Sequence, residues 1–117
     1  MGTRDNATSP EILRGTLDLL ILQALSWGPA HGYAVARWIQ SATGDALAIG
    51  EGTLYPALHR LEERGWINAS WGASENNRQA KFYALTRRGR AQLRVEADQW
   101  RRYAAAVFAA LEAPALK

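Results

Sequence analysis

No cysteine occurs in the 117-residue chain, so it can supply neither a disulfide framework, nor a zinc ribbon, nor a thiol nucleophile. That usage suits a reducing compartment, and the cytoplasm is the expected location. Histidine is almost as scarce. His31 and His59 fall on different helices of the expected fold with no carboxylate at ligand spacing, so neither a metal site nor a base for a catalytic nucleophile can be assembled. Gly50-Glu51-Gly52 lacks the third glycine and the preceding strand of a dinucleotide loop. The apolar stretch Leu19 to Leu25 is interrupted by Gln23 and falls far short of the ~20 residues that span a bilayer. The polar start, Met1 to Ser9 with Arg4 and Asp5, is unlike a secretory signal, so the glycosylation-like Asn6-Ala7-Thr8 and Asn68-Ala69-Ser70 carry no weight. The expectation is a non-enzyme with no cofactor, no metal and no membrane association.

Acidic residues are also unevenly distributed. Between Arg78 and Arg94 there are six cations (Arg78, Lys81, Arg87, Arg88, Arg90 and Arg94) and no acid. The net charge of the whole chain is only +3, with the first fifty residues slightly acidic, so the basicity is local. A local excess of this kind suits a surface for a polyanion better than a uniformly basic protein does.

Periodicity organises the chain into one small domain and an appended helix. Ser9-Pro10-Glu11 has the composition of a helix start, and Leu13, Leu17, Leu20, Ala24 and Leu25 then recur at three- and four-residue spacing up to Trp27-Gly28-Pro29. A second helix is predicted from about Gly32 to Ala42, with Val35, Trp38, Ile39 and Ala42 on its inner face and Gly44 beyond its end. A third begins near Glu51-Gly52-Thr53 and ends at Gly65, with Leu54, Leu58 and Leu61 inside and Pro56 in its opening turns. Two strands follow. Trp66 to Trp71 places Ile67, Ala69 and Trp71 on one side, and Ala80 to Leu85 places Lys81, Tyr83 and Leu85 opposite Phe82 and Ala84. The small, polar segment from Gly72 to Gln79, with Asn76-Asn77, forms the tip of the hairpin. Thr86 caps a last helix that runs to about Glu112 and stops before Pro114.

Three short helices followed by a hairpin predict a mainly α fold with a small β-hairpin: a winged helix-turn-helix plus a long C-terminal helix for dimerisation. The expected divisions are a flexible tail over 1–8, a DNA-binding domain over 9–85 and a dimerisation helix over 86–113. In such folds the third helix enters the major groove of double-stranded DNA. The leucines of that helix face inward, which leaves Thr53, Tyr55, His59 and Arg60 to meet DNA, with Arg78 and Lys81 added by the wing. Tyr55 also has the position for partial burial against the second helix, and Arg90 and Arg94 for solvation or pairing with a partner chain.

The last helix carries Leu93, Ala97, Trp100, Ala104, Val107 and Leu111 at alternating spacings of four and three, a heptad seam over nearly three repeats. A helix of about 26 residues is about 39 Å long, more than a core this small covers. The expected partner is a second copy.

The stretch Leu17-Asp18-Leu19-Leu20-Ile21-Leu22, then His31-Gly32-Tyr33, resembles the PadR family of bacterial regulators. So do Gly52-Thr53-Leu54-Tyr55-Pro56-Ala57-Leu58-His59-Arg60-Leu61-Glu62 with Gly65-Trp66-Ile67, and Lys81-Phe82-Tyr83-Ala84-Leu85-Thr86 with Gly89. The resemblance covers roughly residues 12 to 112 and implies a homodimeric repressor in the short subgroup with a single C-terminal helix. Gln79-Ala80 departs from the pattern, since many relatives carry further basic residues there. Two copies imply a palindromic operator with half-sites about one turn, roughly 10–10.5 base pairs, apart. Some short members hold planar drugs between paired tryptophans at the position of Trp100, so the resemblance implies a small hydrophobic or aromatic effector there. Tight packing of Trp100 in a dimer core is the competing reading. A winged helix that binds a protein instead of DNA is the alternative for the whole chain.

Overall fold

In a computed structural model, residues 14–116 are described, as four helices and a three-stranded antiparallel sheet. Ser9-Pro10-Glu11, Leu13 and the segment 1–8 lie outside the described residues. Helix α1 (Arg14–Leu25) buries Leu17, Ile21, Leu22, Ala24 and Leu25, a broad apolar face that packs on every other helix. It ends where the Ser26 hydroxyl donates to the carbonyl of Gln23 and Gly28 takes a φ of +140°.

After Pro29 comes the two-residue strand β1 (Ala30–His31), which periodicity does not predict. Two residues are too few to show alternation, yet they pair with Tyr83 and Phe82 and tie the start of the next helix to the sheet. His31 then caps α2 (Gly32–Ala42): its Nδ1 accepts from the amide of Ala34 at 3.2 Å. Val35 and Ile39 are buried as expected, whereas Ala42 is exposed because the last turn of α2 runs past the core. Thr43 closes the helix by donating its hydroxyl to the Ile39 carbonyl at 2.9 Å and accepting from the Leu47 amide.

Helix α3 (Glu51–Glu63) buries Leu54, Ala57, Leu58 and Leu61. Pro56 lies in its second turn. The carbonyl left without a donor belongs to Gly52, which is exposed and open to water. The helix ends in a Schellman arrangement: Gly65, at φ +79°, donates to Glu62, and Trp66 donates to Leu61 at 3.1 Å.

Strands β2 (Ile67–Ala73) and β3 (Gln79–Leu85) form the wing, in the sheet order β1-β3-β2. The register pairs Ile67 with Leu85, Ala69 with Tyr83 and Trp71 with Lys81, so the predicted alternation holds. Only the base of the wing reaches the core, however. Ile67 and Tyr83 are buried, but Trp71 is 69% exposed, because the hairpin extends beyond the helices it covers.

Helix α4 (Arg87–Leu111) starts as the sequence predicts, with the Thr86 hydroxyl accepting from the Gly89 amide at 3.0 Å. The same hydroxyl donates to the Gly65 carbonyl at 2.7 Å. A Cβ on Gly89 would stand 1.9 Å from the carbonyl oxygen of Trp66. This junction therefore needs a glycine, and it locks the end of α3 to the start of α4.

Candidate nucleic-acid interface

The sequence nominates the outer side of α3 and the wing, and the fold brings these two elements together. Tyr55 and His59 are exposed on α3, one turn apart. Lys81 reaches across from the wing, with its Nζ 3.9 Å from Glu62 of α3 and 5.8 Å from the centre of the Tyr83 ring. Burial, and then the negative charge of Glu62, raises the pKa of the Tyr83 hydroxyl above its ordinary 10.0. The group below the wing lysine is therefore a neutral phenol. Arg78 is exposed at the wing turn, where the Ser74 amide donates to its carbonyl at 2.8 Å and Asn77 takes the left-handed φ of +59°.

Tyr55 is both exposed and packed. Its ring lies across the start of α2, where a Cβ on Gly32 would stand 2.7 Å from its Cε1 and hydroxyl oxygen. Gly32 is thus the small residue that seats Tyr55, and 43% of that tyrosine remains accessible. Contrary to the expectation that no carboxylate is suitably spaced from a histidine, His59 pairs with Glu63 one turn along at 3.2 Å, and both are well exposed. Thr53 sits half-buried in the first turn of α3.

Arg60 is held differently from its neighbours. Its guanidinium donates to Asp18 of α1 at 2.6 Å, and Arg64 approaches the other carboxylate oxygen at 3.9 Å. Asp18 is 3% exposed, and the buried Nε of Arg60 has no hydrogen-bond partner among the described residues. The geometry turns Arg60 inward as a strut between α1 and α3. Asp18 itself was open to discovery in the sequence as a lone acid among Leu17, Leu19 and Leu20, a pattern that asks for a buried cation.

The seam residues divide along α4. Leu93 packs against the core and Ala97 is half-buried. Trp100 is 41% exposed; its indole N–H donates to Thr16 of α1 at 3.1 Å, and its ring meets Tyr103 edge-on at 6.0 Å. Beyond it Ala104 is half-buried, and Val107, Phe108 and Leu111 are exposed. Among the described residues no group of three His, Asp or Glu side chains is placed to hold a metal ion, and no helix is long and apolar enough to cross a membrane.

With this geometry in place, comparison with known proteins is decisive. The transcriptional regulator PadR-like family matches residues 21–95, which include α2, α3, the wing and the first turns of α4. The chain belongs to the PadR-like family of transcriptional regulators. It is therefore a DNA-binding regulator of transcription and not an enzyme. PadR-like structures repeat its architecture. A PadR family regulator from Eggerthella lenta is 34% identical with a TM-score of 0.71, covering 86% of each chain. A transcriptional regulator from Clostridium thermocellum is 30% identical with a TM-score of 0.73, covering 80% of this chain and 91% of the other. The PadR-like regulator from Bacillus cereus is 25% identical with a TM-score of 0.75, covering 87% of this chain and 97% of its own. In sequence, the chain is 32% identical over 90 residues to uncharacterized protein X of Lysinibacillus sphaericus, spanning 77% of this chain and 83% of that one. It is also 40% identical over 90 residues to a 37.1 kDa transposon protein of Streptomyces fradiae, of which it spans 24%.

Proposed function

We propose that this PadR-like chain is a homodimeric repressor that acts in the cytoplasm by occupying a palindromic promoter operator. The observation that carries the reading is the uncovered apolar end of α4 (Val107, Phe108 and Leu111), on a chain whose other end presents α3 and a cationic wing. A second copy covers the first feature, and pairing through α4 places two reading helices in one particle. Residues 9–85 then serve to bind DNA, and 86–113 serve to pair the subunits through Leu93, Ala97, Trp100, Ala104, Val107 and Leu111.

In this reading Thr53, Tyr55 and His59 face the major groove, with Arg78 and Lys81 on the flanking backbone. Arg60 contributes by holding α3 at a set angle through Asp18, which supports a positioning role more than a direct base contact. The half-exposed Trp100 and its edge-on Tyr103 are suited to a flat hydrophobic effector, received between the two copies of Trp100 in the dimer.

The test is a fluorescence-anisotropy titration of the protein into a duplex carrying the region upstream of its own gene, at two salt concentrations and against unrelated competitor DNA. The expected result is tight binding that weakens steeply with salt and resists the competitor, because each phosphate contact releases counterions. Binding equal to any DNA would contradict sequence-specific repression. No binding to any duplex would favour the winged helix as a protein-docking module.

A further inference from the structure

The outer half of the wing does not cover the core, and its inner face opens onto a cleft. Trp71 and Lys81 form the first cross-strand pair on that face beyond the buried Tyr83. They make one wall of a cleft of about 800 Å³, whose other wall is the start of α2 and whose floor is Tyr55 lying over Gly32. On α2, Tyr33 is 63% exposed and Arg37 stands one turn along, its guanidinium 5.7 Å from the centre of the Tyr33 ring. Behind them, His31 stacks on Tyr33 at 6.5 Å and meets Phe82 of the sheet edge-on at 5.6 Å. Tyr33 thus contacts both an imidazole fixed to the sheet and a guanidinium.

The charges in this cleft are one-sided. Arg37, Arg78 and Lys81 line it against the single acid Glu75. Among the described residues neither Arg37 nor Arg78 is ion-paired, and Lys81 has only the long 3.9 Å approach to Glu62. Cations without counter-charge, beside tyrosine hydroxyls and an exposed indole, have the chemistry of a sugar–phosphate strand. Phosphate oxygens accept from guanidinium and phenol, and the deoxyribose offers an apolar face to tryptophan. The cleft is also continuous with the outer side of α3, because Tyr55 belongs to both.

We propose that the cleft between the start of α2 and the inner face of the wing grips one sugar–phosphate strand of the duplex, with Arg37 and Tyr33 on phosphates and Trp71 against a sugar. This rests on the DNA-binding reading and adds to it three residues that neither the helix periodicity nor the reading helix points to.

The test measures Arg37→Gln, Tyr33→Phe and Trp71→Ala beside the wild type, on one fluorescent duplex across a series of salt concentrations. Each variant is first checked for an unchanged melting temperature. Arg37→Gln should weaken binding about tenfold, the scale of a lost charge-assisted hydrogen bond. It should also reduce the slope of log affinity against log salt by about one, with equal effect on specific and unrelated sequences. Tyr33→Phe and Trp71→Ala should weaken binding several-fold with the slope unchanged. A wild-type slope and affinity for Arg37→Gln, on a wild-type protein that binds DNA well, would overturn the grip and leave the DNA reading standing. A wild-type protein that binds no duplex at any salt would instead remove both.

Discussion

Asp18 sits among leucines on α1, and among the described residues its carboxylate is paired with Arg60 of α3 and approached by Arg64 at the end of that helix. Removing one member of a buried pair leaves the other charge unmatched, at a cost of about 3–5 kcal/mol. Asp18→Ala should therefore lower the unfolding free energy by roughly that amount in urea denaturation. Asp18→Leu with Arg60→Met should restore much of the loss, because the unmatched charge is gone. Arg60→Ala should destabilise the fold while leaving the salt dependence of DNA binding as in the wild type; a loss of about one unit of slope would show that Arg60 meets a phosphate. A second residue-scale expectation concerns Tyr83, whose hydroxyl has a raised pKa. The folded state holds that proton more firmly than the unfolded chain does. The associated stability is present below the ordinary value of 10.0 and is lost as pH rises beyond it through the folded value. Urea midpoints should fall in that alkaline window, and Tyr83→Phe should lessen the fall. Periodicity sorts arginine to the outside by polarity, so Arg60 was read as a contact. Its inward turn depends on where Asp18 lies in space, and one-dimensional spacing does not contain that.

Among the elements, the helices and the wing were the legible part. Capping residues, a left-handed glycine after α2 and three- and four-residue apolar spacing act locally, and all of them leave marks in the sequence. Thr86 caps α4, and Gly44 beyond the end of α2 takes the left-handed φ of +60°, as expected. Strand β1 was not legible, because two residues carry no period and its pairing with β3 is non-local. Trp71 was placed on the correct face by alternation, but alternation does not tell how far a core extends under a strand. This is also why the cleft facing α2 escaped the sequence. The last turns of α4 allow a direct test. Val107→Asp with Leu111→Asp should convert the protein to a monomer in sedimentation equilibrium. The near-unchanged helical signal of the winged domain should persist, since neither residue touches its core. A double variant that remains dimeric would place the subunit contact elsewhere.

For the whole molecule, α1 is the hub. It carries Thr16 to the Trp100 indole, Asp18 to Arg60 and a leucine face to the remaining core. Helices α4 and α3 thus pack on one common element, and the Gly65–Trp66 turn against Thr86 and Gly89 ties them a second time. The two ends of the protein are consequently held at a set relation, which a symmetric operator requires of its reader. The most direct measurement is hydroxyl-radical footprinting on an operator selected from random duplex by the wild-type protein. The account predicts an enriched palindrome with two protected stretches on one face of the DNA, centred about one helical turn, ~10–10.5 base pairs, apart. Selection that enriches no sequence, or a single unpaired protected stretch, would contradict it.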